Sequence, residues 1–157
     1  MRTRLLLFTV IACFATSGCA PRYSITVVGP PGAAANAELT IQQLLVRYLV
    51  AEASTQGAIL VSFGESRLDN VDPPAAFFDR CADLKVALKP ASQYDAPHHP
   101  NALLLMVYDV EMTSDTEASV VVTRYRYAVG ASDGFTAGVQ WHDGAWRIVR
   151  KFHLWSR

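Results

Sequence analysis

The dipeptide Asp143-Gly144, set between Trp141-His142 and Ala145-Trp146, constrains this chain more than any other feature. Asp-Gly within an apolar alternation marks a two-residue hairpin turn, whose central residues take positive φ and whose twist matches that of the strands it joins. Such a turn fixes register: Trp141 is set opposite Trp146, Val139 opposite Ile148, Ala137 opposite Arg150 and Phe135 opposite Phe152. Two further turns extend the pattern upstream. A loop over Gly130–Gly134 aligns Val129 with Phe135, Tyr127 with Ala137 and Tyr125 with Val139, and a turn at Ser114-Asp115 sets Tyr108 opposite Val121, Met106 opposite Thr123 and Leu104 opposite Tyr125. The expectation is an antiparallel meander of strands at about 102–112, 119–129, 135–142 and 145–155. One face then carries nearly every large apolar side chain, and the agreement of all three turns on that face is what makes the pattern a sheet.

Ahead of the meander, Ile41, Leu44, Leu45, Tyr48 and Leu49 recur at helical spacing while Gln42, Gln43 and Arg47 are polar, which predicts a long helix over about Leu39–Ala53 with Asn36 as its cap. Ala58–Phe63 reads as a short strand. Asp72-Pro73 opens a short helix running to about Leu84, with Asp72 as cap, Pro73 in the first turn and Phe77, Phe78 and Cys81 on the buried side. Lys85–Leu88 is a further strand candidate, followed by a loop from Pro90 to Asn101. Between Arg22 and Ala37 lies a Gly/Pro/Ala-rich tether that carries one short edge strand, Ser24–Val28. Its string Gly29-Pro30-Pro31-Gly32 is not a phosphate-binding loop, because Ala34, Ala35 and Asn36 stand where that motif requires Gly, Lys and Ser or Thr.

The N-terminus supplies an address. Arg2 and Arg4 precede an apolar run from Leu5 to Ala15 and then small residues, the order of a secretory signal peptide. That run falls well short of the roughly 20 residues a membrane-spanning helix needs. Thr16-Ser17-Gly18-Cys19 resembles the lipobox of bacterial lipoproteins, with Ser17, Gly18 and Cys19 matching and Thr16 standing where leucine is usual. The resemblance implies cleavage before Cys19, a lipid on its thiol and, with Ala20 following, outer-membrane sorting with the chain facing the periplasm. The alternative is a plain secreted or periplasmic protein. The chain then divides into a signal peptide at 1–18, a lipid-anchored tether at 19–37 and one α+β domain at 38–157.

Composition narrows the function classes. The 157 residues suit one folding unit with its own core, and fourteen basic residues balance fourteen acidic ones, so the electrostatic footprint of a nucleic-acid binder is missing. Once Arg2 and Arg4 leave with the leader, twelve basic groups face fourteen acidic ones, and the stretch from Thr116 to the end, with six basic residues to three acidic, is the basic part. Of the cysteines, Cys13 leaves with the leader and Cys19 is the lipidation candidate, which leaves Cys81 without a partner and hence as a buried core residue. His98-His99 with Asp95 has no third metal ligand at a recognised spacing, and Asp109 and Glu111 read as exposed carboxylates. No metal, cofactor or catalytic triad is expected.

On the predicted apolar face Arg150 stands out, opposite the small Ala137 and in one row with Tyr127. Tyr48, Tyr108, Tyr127 and Arg150 are therefore the candidate lining of a ligand pocket between the long helix and the sheet. The opposite face mixes Leu103, Leu105, Val107, Val120 and Val122 with Arg124, Arg126, Gln140, Arg147, Lys151 and His153. It needs cover from the N-terminal segment, the short helix or another molecule.

A long helix, a short helix and a curved antiparallel sheet ending in a Trp-containing hairpin resemble the NTF2-like and cystatin-like α+β cone. Phe63-Gly64, Asp72-Pro73-Pro74, Phe77-Phe78, Lys89-Pro90-Ala91-Ser92, Asp143-Gly144-Ala145-Trp146 and Trp155-Ser156 are similar to small secreted bacterial proteins of that build, over about Leu39–Arg157. The resemblance implies a fold and transfers no catalytic residue. The expected function is a non-catalytic envelope lipoprotein that binds a small ligand or an envelope protein and meets the membrane through its lipid. The alternative is isomerase- or dehydratase-type acid–base chemistry in the cone, with Tyr127 and Arg150 stabilising negative charge. A cone filled by aromatic rings would favour an interaction module.

Overall fold

A computed structural model describes residues 25–29, 35–53, 57–64, 68–69 and 71–157. The leader, the lipobox segment and the proposed lipid site at Cys19 lie outside the described residues. The elements are β1 (Thr26–Val28), α1 (Ala35–Glu52), β2 (Ile59–Gly64), α2 (Ala75–Arg80), β3 (Leu88–Pro90), β4 (Leu103–Ser114), β5 (Glu117–Arg126), β6 (Ala131–His142) and β7 (Ala145–Ser156), with a 3-10 turn at Ala91–Gln93. The strands form one curled seven-stranded sheet in the order β1-β7-β6-β5-β4-β2-β3. The protein is thus α+β, with β4 to β7 forming the antiparallel meander.

The sheet is mixed rather than wholly antiparallel. β2 runs parallel to both β3 and β4, because the chain returns to the starting end of β2 twice, through α2 and the turns after it before β3 and through residues 91–102 before β4. β1 pairs antiparallel with β7, Val27 opposite Trp146, and Val27 belongs to the core. The folded unit therefore takes in part of the stretch assigned to the tether.

α1 packs against the sheet through Ile41, Leu44, Leu45, Tyr48 and Leu49, and it is buried nearly all round. Its polar side is covered as well: Gln43 donates to the carbonyl of Arg80 at 2.9 Å, and Arg47 reaches the same carbonyl at 2.7 Å. Asn36 lies inside the first turn rather than capping it, and its carbonyl accepts from the Thr40 hydroxyl at 2.5 Å. α2 is shorter than its pattern suggested and starts after Pro74. Asp72 does not cap it, because the carboxylate is engaged by the amide of Ser92 at 3.1 Å and the hydroxyl of Ser92 at 2.5 Å, tying the approach to α2 to the turn after β3. Phe77 is fully buried, edge-on to Phe63 with centroids 4.9 Å apart.

Register decides which face is inside. From Leu104 to Tyr108 the β4–β5 pairing is as expected, with Tyr108 opposite Val121, Met106 opposite Thr123 and Leu104 opposite Tyr125, but the turn lies at Asp115-Thr116 rather than Ser114-Asp115, with Ser114 opposite Glu117, and two register shifts, between Tyr108 and Glu111 and between Met112 and Ser114, restore that pairing. The Asp-Gly turn also forms as expected, Asp143 and Gly144 both at positive φ, and pairs Trp141 with Trp146 and Val139 with Ile148. Two departures from the expected register decide the faces. β7 carries a bulge at Val149, so Arg150 lies opposite Gly138 and Lys151 opposite Ala137, and further along Phe135 faces His153 rather than Phe152. The β5–β6 turn occupies Tyr127–Gly130, with Gly130 at φ +61, so Ala131–Gly134 is strand and Val122 rather than Val129 lies opposite Phe135.

That shift is odd in residue count and exchanges the faces of β4 and β5. Leu103, Leu105, Val107, Ala118, Val120 and Val122 join Phe135, Ala137, Val139, Trp146 and Ile148 beneath α1. The face expected to need cover is the core. The other face holds a smaller cluster, Leu60, Ala102 and Leu104, packed with Ala91, Tyr94, Met106, Tyr125 and Tyr127.

Candidate functional site

The space between α1 and the sheet is occupied. Ile41, Leu44, Leu45 and Leu49 from the helix, and Leu105, Val107, Val120, Val122, Ala137 and Trp146 from the sheet, have no accessible surface. The four candidate pocket residues do not converge there. Tyr48 is beneath α1, edge-on to Phe135 with centroids 6.5 Å apart. Tyr108 and Tyr127 point to the far face, away from α1. The Tyr108 hydroxyl shares a 3.2 Å hydrogen bond with Thr123, and Tyr127 stacks on Tyr94 at 3.9 Å and meets Tyr125 edge-on at 4.8 Å. Burial, then the neighbouring phenols Tyr94 and Tyr125, push the Tyr127 hydroxyl up from its ordinary pKa. Arg150 is carried to the far face by the bulge at Val149, where it is exposed.

On that face Arg150 lies flat across β6. A Cβ on Gly138 would stand 2.4 Å from Arg150 Nε, so the glycine is what lets the side chain lie down. Its guanidinium carbon sits 5.8 Å from the ring centre of Phe152, a residue 57% exposed. Trp155 is laid over Gly134 in the same way, where a Cβ would meet the indole at 2.3 Å. Three of the four predicted residues, Tyr108, Tyr127 and Arg150, thus share one face with Phe152 and Trp155. Tyr108 is buried in that face, Tyr127 is half-buried and Arg150 is exposed, and Tyr48 is separated from them by the sheet.

Tyr48 belongs to a polar cluster that periodicity alone did not reveal. Its hydroxyl donates to Glu52 Oε1 and accepts from Lys151 Nζ at 3.0 Å, and Lys151 also reaches Glu52 Oε2 at 3.3 Å. The same ammonium lies 4.4 Å from the ring centre of Phe135 and 5.0 Å from that of Tyr48. Arg124 bridges Glu52, at 3.5 Å, to Asp133, at 2.6 Å, and Arg126 adds a 3.3 Å contact to Asp133. These groups close the C-terminal end of α1 onto β5, β6 and β7. Every carboxylate in the cluster has at least two cationic neighbours, so its chemistry is that of a clasp. The bulge at Val149, which no residue of that stretch signals, is what brings Lys151 under the helix.

The remaining candidates resolve simply. His98 Nδ1 lies 2.6 Å from Asp95, and His99 Nε2 lies 3.2 Å from Lys89 Nζ. Among the described residues no group of three potential ligands could hold a metal ion. Asp109, at φ 54, sits in an irregular stretch of β4 and is exposed, and Glu111 is exposed as well. Cys81 is unpaired and buried.

Burial, opposed by the nearby Arg47 guanidinium and assisted by Asp83, pushes the Cys81 thiol up to about 11. The native thiol thus keeps its proton where an unfolded one, with a pKa of about 8.5, loses it. Because the folded value is raised, this group's contribution to stability is full below about pH 8.5 and falls as pH rises towards about 11. Denaturation curves between pH 7 and 10.5 should show this decline, and Cys81→Ala should flatten it. Iodoacetamide should modify native Cys81 far more slowly than the unfolded chain.

No protein-family model, curated protein or solved structure matches this chain.

Proposed function

We propose that this chain is an exported envelope lipoprotein, anchored through Cys19, whose domain has the NTF2-like and cystatin-like build. It serves as a non-catalytic module that binds an envelope partner through the far face of its sheet. The leader and lipobox residues support the address, and the two helices on a curled sheet are compatible with the build. The observation that carries the binding role is the packing beneath α1. The space in which an enzyme of this build would work is taken up by aliphatic and aromatic side chains with no accessible surface. Tyr127 and Arg150, the residues on which the acid–base alternative relied, belong instead to the far face with exposed Phe152.

The test uses the full chain in the cell envelope. A labelled fatty acid should enter the native chain and not Cys19→Ala. A photo-crosslinking amino acid at position 152 should yield adducts of discrete mass, whereas the same group at exposed Asp79, beneath the opposite side of the molecule, should not. Equal labelling of both chains would remove the anchor. Equal or absent crosslinking at both positions would remove the far face as the binding surface.

A further inference from the structure

Among the described residues β1 is the terminal strand of the sheet, and no other strand lies along its outer edge. The Gly29 amide donates to the carbonyl of Gly144 at 3.3 Å, and Val27 pairs with Trp146 in the same register. Antiparallel alternation therefore directs the backbone groups of Val27 and Gly29 at β7 and turns the N–H and C=O groups of Thr26 and Val28 outward. Exposed edges of this kind are commonly blunted by lysine, proline or a bulge. Thr26-Val27-Val28 has none of these, and Val28 is 83% exposed.

Beside this edge runs a groove of about 620 Å³, within the range of ligand-binding clefts. Its walls are Gln43, Arg47 and Ala51 of α1 and Asp83 beyond α2, and its apolar surface comes from Val27, Val50 and Leu84. The Arg47 guanidinium is held by Asp83 at 2.9 and 2.5 Å. That hydrogen bond raises the Arg47 pKa and lowers that of Asp83. The polar wall is a fixed, mutually neutralised pair, so it selects no charged ligand. What the groove offers is strand backbone that no described strand pairs with on one side and an apolar slot between helix and strand.

We propose that this groove receives an extended peptide segment of a partner protein, which adds to β1 as an eighth strand. Main-chain bonds to Thr26 and Val28 would hold it, with an uncharged, apolar side chain lodged against Val50 and Leu84. A second copy of this chain is the poorer occupant. A three-residue edge paired with its twin buries far less than the roughly 1,000 Å² of a stable interface, and α1 walls the groove against a whole sheet. The proposal is independent of the far-face reading.

Random decapeptides displayed on phage are selected on the detergent-solubilised full-length chain, and the best binder is synthesised with a fluorophore for anisotropy. Val28→Pro removes an outward N–H and leaves the ladder to β7 intact, since that ladder runs through Val27 and Gly29. It should weaken the peptide at least tenfold, as should methylation of alternate peptide amides. Ala51→Trp, which fills the slot without touching the strand, should weaken it to a similar degree and covers the case in which Val28→Pro does not fold. Failure to select any binder, or a binder indifferent to both variants, would overturn the proposal. So would a dimer in sedimentation that Val28→Pro dissociates, because the occupant would then be a second copy.

Discussion

Trp146→Ala is expected to cost about 3–5 kcal/mol of folding stability and to lower the thermal midpoint by on the order of 15 °C. The indole has no accessible surface, and its residue pairs with Trp141 on β6 and with Val27 on β1. Truncation removes the largest fully buried side chain at the point where two strands and α1 meet, and the neighbours are tied to their own ladders and cannot close the gap. Urea unfolding followed by fluorescence of the remaining tryptophans would measure the loss. A change below about 1 kcal/mol, the ordinary effect of a single substitution, would contradict the packing described.

Asp133→Ala is expected to cost about 2–3 kcal/mol, less than the roughly 3–5 kcal/mol of breaking a fully buried pair, because the partners are partly exposed. Asp133 is 7% exposed and accepts from Arg124 at 2.9 and 2.6 Å and from Arg126 at 3.3 Å. Without the carboxylate, Arg126 loses its acidic neighbour in the clasp and Arg124 keeps only its longer contact to Glu52, at 3.5 Å. A double-mutant cycle with Arg124→Ala should return a coupling of about 1–2 kcal/mol that persists at 1 M salt. Coupling that vanishes in salt would mark the pair as an ordinary surface contact.

Asp133 also explains where the sequence was legible and where it was not. Asp143-Gly144 is a local signal, and the pairings next to it were readable from chemistry within a few residues, whereas the turn predicted at Ser114-Asp115 lies one residue further on and the expected register returns only beyond two shifts in β4. Ala131-Ser132-Asp133-Gly134 has the composition of a loop. It extends as strand because Arg124 and Arg126, several residues away along the chain, neutralise the aspartate. That partnership becomes visible only once β5 and β6 are paired. The resulting odd shift turned the predicted inner face of β4 and β5 outward, and with it Tyr108 and Tyr127.

The bulge at Val149 had a comparable consequence for the site. Nothing in Ile148-Val149-Arg150-Lys151 announces an extra residue, yet it exchanges Arg150 for Lys151 beneath the helix. The pocket and the clasp differ by that one position. The parallel insertion of β2 between β3 and β4 was equally silent, since apolar strands look alike whichever way their neighbours run. Helix α1, whose apolar spacing is self-contained, was recognisable without its partners.

The pairing of Thr26 with Arg147 sets the order of synthesis against the order of assembly. The first of the described strands to leave the ribosome is completed by the last, and closing so long a loop is slow compared with forming the local hairpins of the meander. During any vectorial delivery of the chain, β1 waits with both of its edges unpaired until residues beyond Ala145 arrive. One edge is then satisfied by β7, while along the other no described strand takes the place that stood open on both sides during its making.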